Sequence, residues 1–142
     1  MEIEVKLTFF DRTEEGDFLG FITEVGGKRT FSFIAGKATG KAIRYAFLKR
    51  KFSQPRVIDA YCVTLEKLSV TIEKVVITDL GIASLLIKHG EQLISIEMIP
   101  SDAMAIAMTA DRPIFIESDA FERLIRLTTL NLDAWDERSI KQ

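Results

Sequence analysis

One histidine and one cysteine supply the only imidazole and the only thiol in this 142-residue chain, so any chemistry must rest on carboxylates, hydroxyls and basic side chains. His89 stands beside Gly90 between two apolar runs, a turn position that favours a solvated imidazole over a catalytic one. Cys62 falls within an amphipathic stretch and reads as a buried structural thiol. Without a second histidine or cysteine there is no zinc set. Gly36-Lys37-Ala38-Thr39-Gly40-Lys41 has a Gly-Lys pair but neither the spacing of a phosphate loop nor the following Ser or Thr. No Gly-x-Ser-x-Gly elbow is present.

Charge is distributed unevenly. The chain carries a net −2, yet residues 1–24 sum to −5, residues 25–58 to +9 and residues 59–142 to −6. The middle segment holds Lys28, Arg29, Lys37, Lys41, Arg44, Lys49, Arg50, Lys51 and Arg56 without one carboxylate. Such asymmetry fits a polyanionic partner, DNA or RNA. It fits equally a basic face that pairs with acidic surface elsewhere in the chain or in an oligomer. Lys37, Lys41, Arg44 and Lys51 fall at i, i+4, i+7 and i+14, one face of a helix, and are the candidate phosphate-binding residues.

The elements that would position these groups can be read from periodicity. Ile3, Val5, Leu7 and Phe9 alternate with polar residues, which predicts a strand with one buried face, and Asp11 to Asp17 predicts a polar turn. Residues 18–25 and 29–35 predict strands joined at Gly26-Gly27. Residues 36–52 and 56–69 have helical spacing, although Gly40 weakens the first by about 1 kcal/mol relative to alanine. Residues 71–78, 82–88 and 92–98 predict three strands, 101–110 a helix with Ser101 as its N-cap, 113–117 a strand and 118–127 a last helix.

The expected class is therefore α+β: a mostly antiparallel mixed sheet packed with about four helices, in one domain over residues 1–127 with a C-terminal tail at 128–142. At an offset of 65, Phe31 to Ile34 with Ala38 and Ala42 align with Ile96 to Ile99 with Ala103 and Ala107. A duplicated hairpin–helix unit, or convergence on one packing solution, would produce that. No uncharged run exceeds eight residues, against about 20 for a bilayer span, and the N-terminus lacks the marks of a secretory signal. The expectation is a reduced, cytoplasmic protein with no membrane partner.

The stretch Ile99-Pro100-Ser101-Asp102-Ala103, its alanine-rich continuation, and Arg112-Pro113-Ile114-Phe115-Ile116 resemble the bifunctional nuclease domain family. That family's pattern has Arg-Pro-Ser-Asp-Ala, an apolar helix and Pro-Ile-Tyr-Val. Ile72 to Leu80 is similar to its Val-Val-Ile-x-Asp strand, and Ile34-Ala35-Gly36 to its Ile-Gly segment. Pro55 to Asp59 occupies the place of its Pro-Leu-Thr-His-Asp, so the resemblance runs from about Phe18 to Leu127. It implies an α+β domain that self-associates, most simply as a homodimer, with DNase and RNase activity.

The residues carried over as catalytic are Asp59, Ser101 and Asp102, with Asp79 as an outlying carboxylate. Asp59 and Asp102 would share a Mg²⁺ or Mn²⁺ if their helix starts converge, with Lys37 or Lys41 on phosphate. Each aspartate also has a plainer reading as a first-turn charge facing a helix dipole. Three departures point to weak or lost hydrolysis. Val57-Ile58-Asp59 lacks the family's histidine, Lys37 to Thr39 replace an acidic residue, and Ile99 stands in for the arginine. The alternatives to a nuclease are a non-enzymatic nucleic-acid binder and a structural or regulatory homo-oligomer.

Overall fold

Residues 1–50 and 55–127 are described by the computed structural model. The chain runs β1 (Glu2–Arg12), β2 (Phe18–Glu24), β3 (Thr30–Ala35), α1 (Lys37–Phe47), α2 (Val57–Lys67), β4 (Val70–Asp79), β5 (Ile82–His89), β6 (Gln92–Met98), α3 (Pro100–Thr109) and β7 (Ile114–Glu117). A further helix, α4, covers 118–127. The strands form one seven-stranded sheet in the order β3-β2-β1-β7-β4-β5-β6. Every pairing is antiparallel except β4 with β7. This is the α+β mixed sheet that the periodicities predict, and the hairpin–helix alignment corresponds to β2-β3-α1 and β5-β6-α3.

The register puts the apolar residues on one face. Directly paired positions share a side, and the pairs Ile22–Phe31, Val5–Ile114, Ile114–Val75 and Ile116–Ile77 are all buried. Helices α1, α2, α3 and α4 pack over that side through Ile43, Tyr61, Met104 and Phe121. The opposite side carries a ladder of Thr8, Thr23 and Thr30 hydroxyls at 2.9 and 3.0 Å. It also shows Phe9 and Ile34 to solvent.

Two local expectations change. The alternation in β1 does not reach Phe9, because a bulge between Leu7 and Phe9 shifts the register. An extra residue turns every later side chain to the other side, so Phe10 is buried and Phe9 is 43% exposed. The strand also continues through Asp11 and Arg12, leaving a shorter turn. Helix α1 stops at Phe47 instead of Phe52: Lys49 takes a left-handed φ of 55°, and its neighbour's N–H bonds to Tyr45. Residues 51–54, which include Lys51, and the tail at 128–142 lie outside the described residues.

Gly40 has a packing reason. A β-carbon there would run into the Phe18 ring, which is buried and stacked on Phe10 at 5.3 Å. Gly40→Ala should therefore destabilise the fold by about 1–3 kcal/mol despite the better helix propensity of alanine. A urea midpoint equal to or above that of the parent would show that the ring yields.

Candidate functional site

The site is set by how α1 and α3 meet. Ala103, Met104, Ala105, Ile106 and Ala107 are all buried, so α3 is enclosed by its neighbours. Short side chains allow that approach. Near the helix starts, Thr39 Oγ1 donates to Asp102 Oδ1 at 2.8 Å. Near their ends, Ala42, Tyr45 and Ala46 of α1 and Met108 and Thr109 of α3 line a common cleft. The two helices thus run side by side in the same sense.

The cleft measures about 560 Å³. Ala42 is buried at its base, Ala46 and Met108 are half-buried, and Asp59 and Val63 of α2 line it too. Lys49, Arg50, Pro55 and Asp111 form its exposed rim. Lys49 and Asp111 each follow the C-cap of a helix, and each has a φ of 55°.

Asp59 lies in the first turn of α2, where its Oδ2 accepts the Arg56 backbone N–H at 3.0 Å. That bond serves the helix start. Asp102 lies in the first turn of α3, after Pro100, with Ile99 as the N-cap instead of Ser101. Proline at the first helical position loses no hydrogen bond there and so sets the start earlier than Ser101. Ser101 is half-buried in that turn. Asp102 therefore buckles α3 to α1. Asp59 faces residues 108 and 109, about 9 Å further along α3 at 1.5 Å per residue.

Of the two carboxylates, Asp59 lines the cleft and Asp102 does not. No group of three or more His, Cys, Asp or Glu side chains among the described residues is arranged to hold an ion. Asp79 is further removed, at the end of β4, where its Oδ1 accepts from Leu80 N and from Arg123 Nη2. His89 is exposed at the end of β5.

The basic run divides in space. Lys37 and Lys41 are exposed on α1, and Arg44 is half-buried with its Nη1 4.0 Å from Asp11 Oδ1. Beyond the end of α1 at Phe47, Lys49 and Arg50 lie at the rim of the cleft that Tyr45 also lines. Arg29, by contrast, is committed to structure. It meets Glu24 at 3.0 Å and Glu122 at 2.6 Å, and its guanidinium lies 4.6 Å from the Phe121 ring centre. Hydrogen bonding from Arg29 holds the Glu24 carboxyl below its usual range, and Glu24 raises Arg29 in return. Cys62 is half-buried instead of buried, and that burial pushes its thiol up, with the Asp59 charge adding to it.

Periodicity does not reveal Tyr45, Thr109 and Asp111 as cleft residues, because their sites are made by two helix ends far apart in sequence. The only local signal was the Asp111-Arg112-Pro113 break after α3. Ile58, at the family's histidine position, is half-buried against both apolar clusters. It fills the core.

The fold and site define an α+β domain with a cation-rimmed, carboxylate-bearing cleft between helices. A family model for the bifunctional nuclease domain matches residues 21–125, and the chain belongs to that family. No curated protein matches it significantly. The match omits the whole of β1, which nevertheless joins β2 to β7 within the sheet.

A double-mutant cycle with Thr39→Val and Asp102→Asn should give a coupling of about 1 kcal/mol, the net value of a part-buried bond to a charged acceptor. Strictly additive losses would remove the buckle.

Proposed function

We propose that this domain binds the phosphate backbone of nucleic acid along α1 and leads it to the cleft, with little hydrolytic power of its own. The observation that carries this reading is the solvent-facing row Lys37, Lys41 and Arg44 continuing to Lys49 and Arg50 at the cleft mouth. Phosphate contacts of this kind supply most sequence-independent affinity. Family membership adds a phosphodiester as the bond presented.

The chemistry of the cleft supports binding more than cleavage. Hydrolysis needs charge neutralisation at phosphate, which Lys49 and Arg50 supply, and a group that accepts the proton of the attacking water. Asp59 is the half-buried carboxylate in reach, and one of its oxygens is occupied by the Arg56 N–H. Ile58 brings no imidazole. Asp59 lines the cleft while Asp102 is bonded to Thr39 outside its lining, so no step is assigned to a metal that the two would share.

Binding of a labelled oligonucleotide should fall steeply with salt, with a double-logarithmic slope of about −0.7 to −0.9 per phosphate neutralised. The triple change Lys37→Gln, Lys41→Gln and Arg44→Gln should make that slope shallower by about two to three contacts. Retention that ignores the triple change, or no retention by the parent, would retire the reading. Cleavage by protein freed of contaminating nucleases should be slow with or without Mg²⁺ or Mn²⁺. Fast metal-independent cleavage would overturn the mechanistic half.

Association between copies is a second reading, favoured by the sheet side that no helix covers among the described residues. Phe9, Ile34 and Leu93 are 43%, 69% and 61% exposed there. Light scattering is expected to give about twice 16.0 kDa at micromolar concentration. A monomer mass would refute it.

A further inference from the structure

The cleft is too apolar at its base for a phosphate alone. Ala42, Ala46 and Met108 offer no hydrogen-bond donor from their side chains, and Val63 and Pro55 add apolar sides. A phosphate gains nothing against such surfaces, whereas a flat aromatic ring does. Tyr45 stands half-buried between this base and the basic row.

The backbone adds a second observation. Lys49 and Asp111 both occupy left-handed positions after helix ends, where glycine would sit without strain. Ser69 does the same after α2, outside the cleft lining, so this is how α1, α2 and α3 each end, and at two of these ends it brings Lys49 and Asp111 to the cleft mouth. Lys49 and Tyr45 both line the cleft.

We infer that the cleft accepts one unpaired nucleobase against Tyr45 while Lys49 and Arg50 hold its phosphate, so that single strands and looped-out nucleotides are the substrate class. A paired base keeps both faces stacked in the duplex and cannot enter. The volume of about 560 Å³ suits a single nucleotide. This inference rests on the backbone-binding reading above.

The test compares three fluorescein-labelled probes on the whole chain at low salt: a ten-residue thymidine oligomer, an abasic oligomer with the same number of phosphates, and a ten-base-pair duplex. The thymidine oligomer should bind roughly tenfold tighter than the abasic one, the scale of one base stacked on an aromatic ring. Tyr45→Ala should erase that difference while leaving abasic affinity unchanged, and Tyr45→Phe should retain it. Circular dichroism of both variants reports whether they fold. Equal binding of thymidine and abasic probes, or a Tyr45→Ala loss common to both, overturns the base pocket and leaves backbone binding standing. Tighter binding of the duplex than of the thymidine oligomer also overturns it. Failure of all three probes to bind sinks both readings.

Discussion

A helix enclosed on every side tolerates only side chains short enough for its neighbours to close over it, and α3 meets that condition with Ala103, Ala105 and Ala107. The sheet lies beneath it, and α1 and α2 lie against it. Most other features follow from this close approach. It brings Thr39 to Asp102, sets α1 parallel to α3, and leaves a gap where both helices end and only Ala42, Ala46 and Met108 remain to fill it. The cleft is the space left by small residues chosen for packing. Gly40 against Phe18 is the same constraint on the other side of α1.

The electrostatics follow from where the chain goes after each strand. A basic segment that is continuous in sequence divides into Arg29, neutralised by Glu24 and Glu122, and the α1 set, which faces solvent. The acidic first strand approaches the α1 set only at Asp11, 4.0 Å from Arg44. An exposed pair at that distance contributes little. Lys37 and Lys41 are exposed on α1, and at the cleft Lys49 and Arg50 stand with Asp59 and Asp111 as the opposing charges.

Family membership and residue detail carry different weight. The framework motifs of the bifunctional nuclease domain are retained because they build the sheet and α3: Ile72 to Leu80 forms β4, and Pro113 to Ile116 leads into β7. The polar positions are those that differ. Ile58 packs inward, and Asp102 is occupied by Thr39, itself one of the departures. Membership of the family thus coexists with different side chains at these polar positions.

Periodicity alone determined the elements, since burial of one face of a strand or helix is a local rule that leaves a local pattern. The strands, the helices at 37–47, 57–67 and 100–109, and the α+β class were all legible in this way. So was the basic row through Lys37, Lys41 and Arg44, because helical spacing is itself local. The β1 bulge was not legible, since an inserted residue changes register only against its partner strand. Nor was the early end of α1 at a non-glycine left-handed residue. The site lay furthest from view. Which carboxylates meet depends on the relative placement of α1, α2 and α3, and that is decided by contacts between residues some 60 positions apart. Tertiary packing tied Asp102 to Thr39 and set Tyr45, Lys49, Asp59 and Asp111 around one cleft, because only the completed core fixes where helix ends converge.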